Sequence, residues 1–164
     1  MIDQPLPAYK FLVTLHPGDA YLPPAQAAAL LSFFGGAFQE VGGLGGEMDV
    51  LAHPEGGVND LVHQLPVRHS WGRLMLKRGV VRDAGLWSWY EAGLTQSLGA
   101  RRDGAILLMT AAGTPAIAWT FSRGLAAKWS GPSLNAMQSA VAIESLEIAH
   151  EGLTQVPLSV PGID

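Results

Sequence analysis

Residues 139–153, SAVAIESLEIAHEGL, constrain the fold most, because their apolar side chains are spaced for an extended strand. Side chains alternate between two faces along a strand, so Val141 and Ile143 share one face and Leu146 and Ile148 share the other. The buried face therefore changes between Ile143 and Leu146. A strand makes such a change through a bulge or by passing from one sheet into another. We expect this strand to close a β-rich body with which earlier segments pair.

Other segments alternate in the same way and are separated by turns, in a chain with 20 glycines and 11 prolines. They predict a mainly β fold, an antiparallel β-barrel or sandwich. The GGLGG run at 42–46 predicts a hairpin or corner turn between its flanking strands. The predicted strands are 9–15, 37–41, 47–51, 73–78, 105–109 and 115–121, with a shorter apolar stretch at 124–129.

One amphipathic helix is expected to flank the sheet, with Asp83 as its N-cap and its end near Leu98. Its apolar stripe consists of Leu86, Trp87, Tyr90, Leu94 and Leu98. Trp87 and Trp89 lie two residues apart, so they cannot share one helix face. Because tryptophan is enriched at protein interfaces, Trp89 becomes a candidate for contact with a partner.

A second, short helix is predicted inside an apolar insertion at 16–36. Pro24 suits a first helical position, an alanine run follows, and Gly35–Gly36 ends the helix. Its packing face is formed by Leu30, Leu31, Phe33 and Phe34. These side chains either cover an end of this chain's own body or dock on a neighbour, and both readings stay open.

The length of 164 residues suits one domain over 1–164, with a loosely held tail at 154–164. Charged residues make up 15% of the chain, against about 25% in average domains. So few charges indicate a surface that other chains partly cover. A net charge of −4 without a basic block argues against nucleic acid as a partner, and no apolar run is long enough to span a membrane.

No catalytic motif is present, and we expect neither an enzyme nor a cofactor. His53, His63 and His69 lie near several carboxylates but lack the spacing of a known metal motif, so a metal-dependent enzyme is the weaker alternative. Lys77 and Arg78 belong to the densest basic group and are candidates for ionic contacts with a partner.

A series of segments resembles the tail tube protein family of contractile phages and of phage-tail-like contractile injection systems. LKRG, KWSGP and the final ExLExxHEGL run are together fairly specific. The matching segments, in the family's order, are AYKFLVTL (8–15), FQEVGGL (38–44), GGVND (56–60), LP (65–66), LMLKRG (74–79), LWSWY (86–90), GAILLMT (104–110), WTF (119–121), KWSGPSLNA (128–136) and VAIESLEIAHEGL (141–153).

The resemblance implies a structural subunit without catalytic residues. Six such subunits form a ring, and rings stack into a rigid inner tube within a contractile sheath. The implied partners are copies of the chain, the neighbouring ring, the spike hub, the baseplate and the sheath. Assembly in the cytoplasm is implied, in a particle that can act outside the cell. Two residues of the matching segments, Lys128 and Glu144, join the interface candidates.

The insertion at 16–36 departs from the family, whose members pass between the first two strands by a short loop. An apolar insertion suits a specialised ring, such as a tube initiator that meets the spike hub and baseplate. The alternative from another class of protein is a monomeric β-sandwich that binds a carbohydrate or small ligand through Trp71 and Trp89.

Overall fold

The computed structural model describes residues 5–15, 38–57, 60–82, 84–96 and 100–157. Within these ranges the chain is mainly antiparallel β with one helix, which confirms the predicted fold class. The elements in order are β1 (Phe11–Thr14), β2 (Phe38–Gly42), β3 (Gly46–Pro54), β4 (Val62–Trp71), β5 (Leu74–Gly79), α1 (Gly85–Gln96), β6 (Arg102–Met109), β7 (Pro115–Ser130), β8 (Ile143–Ala149) and β9 (Gly152–Pro157). The predicted helix in the insertion lies outside the described residues.

The body consists of two layers that share the long strand β7. The first layer contains β1, β6, the first half of β7 and β9. The second contains β2, β5, β8 and the second half of β7. Every pairing is antiparallel, and the predicted hairpin of β6 and β7 is confirmed, with Leu108 opposite Ile117.

The passage from one layer to the other occurs in β7 at Arg123 and Gly124. Arg123 has a positive φ of 51°, and a Cβ on Gly124 would lie 2.7 Å from the Phe121 ring. Opposite this bend, β8 ends and β9 begins around His150, so these two strands together cross between the layers. The expected crossing of the C-terminal strand exists, but it lies at His150, beyond the predicted position.

The change of face predicted between Ile143 and Leu146 was wrong. Glu144, Leu146 and Ile148 all lie on the buried face of β8, while Ile143 is 42% exposed. The apolar residues Val141 and Ile143 suggested a second buried face, but they are surface residues near the strand's start. Apolar character alone does not distinguish a buried strand position from an exposed one, because many apolar side chains lie on protein surfaces.

The core lies between the two layers and under α1. It contains Val13, Ile106 and Phe121 from the first layer, Leu74, Leu76, Ala126, Leu146 and Ile148 from the second, and Leu86 and Trp89 from the helix. The first layer also buries residues of its opposite face, including Leu107 and Ala118, both fully buried. The first strand is accordingly buried on both faces, since the consecutive residues Leu12 and Val13 are both buried.

The predicted loose tail was wrong for its first residues. Residues 154–157 belong to β9, where Thr154 pairs with Thr120 and Val156 with Ala118. Backbone hydrogen bonds along β7 hold this segment, although its side chains include few buried apolar groups.

Candidate functional site

The β3–β4 hairpin is the largest exposed feature among the described residues. Its strands have nine and ten residues, pair with no other described strand, and are exposed at every position. Val50 and Leu51 are consecutive and each 54% exposed, so both faces of the hairpin present apolar side chains. The other exposed apolar residues of the hairpin are Met48, Val62, Leu65, Val67 and Trp71.

Cross-strand pairs define how the hairpin is held together. Leu51 lies directly opposite Leu65, and a bulge precedes this pair, between Asp49 and Val50. The Arg68 guanidinium lies 3.0 Å from the Asp49 carboxylate. Two-stranded hairpins are marginally stable alone in water, and a large exposed apolar surface commonly marks an interaction site. The arrangement therefore suits docking on another molecule.

The root of the hairpin is a narrow backbone crossing built from glycines. Gly43 has a φ of +81°, and a Cβ there would lie 1.8 Å from the carbonyl oxygen of Arg73. The Gly72 amide donates to the Gly45 carbonyl at 3.0 Å, which joins the two sides of the root. Of the two predicted meanings of GGLGG, the corner turn was correct, because β2 pairs with β5 and β3 with β4.

The opposite end of the body carries a second group of exposed apolar side chains. Strand β5 leaves the hairpin root at Leu74 and ends at Gly79, about 17 Å away at the rise of a strand. There the Val80 amide donates to the Ala142 carbonyl at 2.8 Å. We call the exposed apolar residues next to this contact the far-end patch: Val80, Val141 and Ile143.

Three of the predicted interface residues are instead buried inside the chain. Trp89 is 1% exposed, packs in the core and donates from Nε1 to the Ala100 carbonyl at 2.6 Å. Its neighbour Trp87 is 39% exposed, so the helix buries the face opposite to the predicted one at this position. Leu94, also assigned to the buried stripe, is 69% exposed. The choice of Trp89 as a contact residue was wrong.

Arg78 and Glu144 form a buried ion pair across β5 and β8. Arg78 Nε lies 2.7 Å from Glu144 Oε1, and each side chain is 8% exposed. Trp129 Nε1 donates to the second Glu144 oxygen at 3.1 Å. Both charged residues have the parity of the buried leucines Leu76 and Leu146, so the strand pattern itself places them inward. The prediction that Arg78 and Glu144 contact a partner was therefore wrong, because the two residues pair with each other inside the chain.

Lys77 and Lys128 lie on the outer face of the second layer, where a partner could reach them. Lys77 Nζ lies 2.9 Å from Glu40 Oε2. Lys128 Nζ lies 3.4 Å from Glu147, which Arg73 also contacts at 3.3 Å. The insertion residues Leu30, Leu31, Phe33 and Phe34 lie outside the described residues.

Within the described ranges, no group of three or more His, Asp or Glu side chains could hold a metal ion. His63 of the hairpin contacts Glu55 at 2.9 Å. No helix in the described part of the chain is long and apolar enough to cross a membrane.

Sequence reasoning missed the hairpin as a site. Residues 62–71 were not predicted as a strand, because Pro66 and the consecutive polar residues 68–70 interrupt the alternation. One signal was available. The apolar residues Val62, Leu65 and Val67 follow a Gly-containing turn, as the second strand of a hairpin does after a first apolar strand.

The described residues thus present an exposed apolar hairpin at one end of the body and an exposed apolar patch at the other. The sequence matches the family of the T4-like virus tail tube protein gp19 over residues 7–154, and the chain belongs to this family. The resemblance and the expected role as a structural tail tube subunit are thereby confirmed, and the alternative of a carbohydrate-binding module is set aside. No curated protein matches the sequence.

Solved structures share the fold over nearly the whole chain. A chain in the 6-fold symmetrised cryo-EM structure of the anti-feeding prophage (AFP) baseplate is 23% identical, with coverage of 97% of this chain and 100% of that one and a TM-score of 0.73. A chain of the AFP tube terminating cap is 21% identical, covers 96% and 95%, and has a TM-score of 0.74. A chain of the extended PVC sheath-tube complex is 19% identical, covers 96% and 95%, and has a TM-score of 0.73.

Proposed function

We propose that this chain is a ring-forming subunit of the inner tube of a phage-tail-like contractile injection system. The observation that carries the proposal beyond family membership is the β3–β4 hairpin, which is exposed at every position and apolar on both faces. Such a hairpin gains stability when a second copy covers it, because burying a Val or Leu side chain contributes about 1.5–3 kcal/mol.

The positions of the two apolar surfaces support a particular kind of assembly. The hairpin and the far-end patch lie at opposite ends of β5, so a contact between them joins unlike surfaces of two copies. Unlike surfaces generate closed rings or stacked, open-ended polymers, depending on the rotation between copies. A homohexameric ring is supported by the sixfold symmetry of the AFP baseplate, which contains a chain of this fold.

The proposed partners are the neighbouring ring, the spike hub, the baseplate and the contractile sheath. Chains of this fold occur in a baseplate, a terminating cap and a sheath-tube complex, so the fold suits a ring at any level of a tube, including the initiator. We place assembly in the cytoplasm and function in a particle that can be extracellular, as the PVC system is described. The subunit acts mechanically and turns over no substrate.

The insertion at 16–36 is proposed to add an interface to the single domain 1–164. Replacing Leu30, Leu31, Phe33 and Phe34 together by serine is expected to weaken assembly while the β circular-dichroism signal is retained. Loss of that signal with precipitation would show that the insertion belongs to the core.

The proposed function is tested by replacing the apolar pair Leu51 and Leu65 with Leu51→Lys and Leu65→Glu. These residues are directly opposite, so the new charges attract each other and the hairpin keeps its pairing. Negative-stain microscopy is expected to show sixfold rings and tubes for the unchanged protein and none for the variant. The melting temperature of the isolated chain should stay the same.

A matched control is Asp49→Arg with Arg68→Asp, which inverts an existing ion pair on the same hairpin without removing apolar surface. This control should still form tubes. Tubes formed equally well by the Leu51→Lys, Leu65→Glu variant would exclude the hairpin as the assembly contact.

A further inference from the structure

We propose that residues 131–140, the β7–β8 loop, dock in an apolar cleft beside β2 of a second copy of the chain. The proposal rests on the proposed function, because it names two surfaces that meet between neighbouring subunits of one ring. This contact is separate from that of the β3–β4 hairpin.

The cleft lies between β2 and the strands β1, β6 and β7 of the first layer, and its volume is about 330 Å³. Among the described residues that line it, Glu40 alone is charged, and its carboxylate already lies 2.9 Å from Lys77 Nζ. Ligand sites are likewise mainly apolar, with few polar groups. The cleft therefore suits apolar side chains. Its main apolar lining consists of Leu6, Phe11, Val41, Leu44, Leu108 and Trp119.

The β7–β8 loop carries the two most exposed large apolar side chains in the described part of the chain. Leu134 is 81% exposed and Met137 is 92% exposed. No residue of the loop is charged. Burial of the loop against an apolar surface therefore removes no charge from water, which is the costly part of burying a polar segment.

The loop has a defined shape although its large apolar side chains are uncovered. At its start, a Cβ on Gly131 would lie 2.7 Å from the Trp129 ring, so the backbone passes close to the indole. Within it, the Met137 amide donates to Asn135 Oδ1 at 2.9 Å. Just beyond its end, the Ala142 carbonyl accepts a backbone hydrogen bond at 2.8 Å. A loop that is already ordered loses less conformational entropy when it binds.

The cleft and the loop belong to opposite edges of the second layer. In the described strand order, β2 is one edge and the second half of β7 is the other, with β5 and β8 between them. Three strand spacings separate these edges by about 14 Å. Because Leu134 and Met137 are exposed, the loop does not fill the cleft of its own chain. A contact between opposite edges joins successive copies, and such a contact closes into a ring at a suitable rotation.

The charges of the two edges favour a second copy as the occupant of the cleft. Glu40 on β2 and Lys128 on β7 are both more than half exposed, on the outer face of the second layer. When the loop enters the cleft, the β7 edge of one copy faces the β2 edge of the next, and Lys128 approaches a carboxylate of opposite charge. Exposed charge pairs of this kind set the register of a contact more than its affinity.

The contact is tested with cysteines introduced into the full chain, which has none of its own. In Leu134→Cys with Leu44→Cys, one thiol lies on the loop and the other in the cleft. A disulfide requires Cα atoms within about 7 Å, so these positions on opposite edges are expected to link only between copies. With an added oxidant, denaturing electrophoresis should show a ladder of bands up to the hexamer that reduction removes. Rings in negative stain without this ladder would overturn the proposal.

Leu134→Cys with Leu94→Cys is the matched control, because Leu94 is exposed on α1 and does not line the cleft. It should give no ladder, and an equal ladder would overturn the assignment of the cleft. Phe33→Cys with Leu44→Cys tests the chain's own insertion as the occupant. A disulfide within a single chain in that variant would likewise overturn the proposal.

A substitution measures the strength of the contact. In Leu134→Ser with Met137→Ser, the concentration at which half of the chains are in rings should rise about a hundredfold, because two apolar side chains are no longer buried. Gln138→Ser changes an exposed polar neighbour in the same loop and should leave this concentration unchanged. Sedimentation velocity measures it, and equal values for the two variants would overturn the proposal.

A further outcome separates this proposal from the proposed function. If the unchanged chain forms neither rings nor tubes, the proposed function fails, and the contact is then measured in the soluble protein. The Leu44→Cys and Leu134→Cys proteins are mixed at high concentration and oxidised. A covalent dimer in the mixture, but in neither protein alone, supports the contact, and absence of this dimer overturns it.

Discussion

The body and the hairpin of this protein have similar apolar residues but opposite surroundings. In the body, Leu74, Leu76, Leu146 and Ile148 are 0–1% exposed between two β layers. In the hairpin, Val50 and Leu51 are more than half exposed. The body is therefore stabilised by contacts among the described residues, whereas no described residue outside the hairpin covers these apolar side chains. The proposed function assigns the exposed hairpin to assembly.

The largest expected effect in this comparison comes from Trp89→Ala. It removes a buried indole and leaves the Ala100 carbonyl without its donor, so we expect a loss of about 4 kcal/mol in the free energy of unfolding. Trp87→Ala is the control two residues away, where the ring is partly exposed. Chemical denaturation of the two variants measures the difference. Equal losses would place both tryptophans in the core.

A somewhat smaller effect is expected from Arg78→Ala. It leaves the Glu144 carboxylate buried with Trp129 as its donor, and we expect a loss of about 3 kcal/mol. Replacing both charged residues, by Arg78→Met with Glu144→Leu, should restore most of the stability because no unpaired charge remains. Denaturation midpoints check this order. A double variant less stable than Arg78→Ala would show that the pair contributes net stability.

The smallest effect on folding is expected in the hairpin, from Val50→Ser. The side chain is 54% exposed, so the unfolding free energy of the isolated chain should change by less than about 0.5 kcal/mol. The critical concentration for tube formation should rise nonetheless. Calorimetry and sedimentation of the same sample separate the two quantities. A large loss of stability without any change in assembly would mean that the body covers this residue.

The sequence predicted the fold class well and the exposed hairpin poorly. Alternation identified most body strands, because a two-residue period is a local property that pairing preserves. The same alternation placed Arg78 on the buried side of β5, although its charge led to the opposite interpretation. The helix was expected at 83–98 and extends over Gly85–Gln96. The helical spacing allowed either Trp87 or Trp89 to face the core. We predicted Trp87, whereas the helix buries Trp89.

The sequence by itself determined the alternating segments, the turns between them and the family. Each of these features depends on residues that are close together along the chain. The pairing of strands and the exposure of the hairpin were decided by the tertiary structure. Val50 and Leu146 are both aliphatic residues in strands, and nothing in their neighbours separates them. Burial depends on which distant strands stack above a residue. Leu146 lies in the second layer and the first layer closes over it, whereas among the described residues no layer closes over Val50.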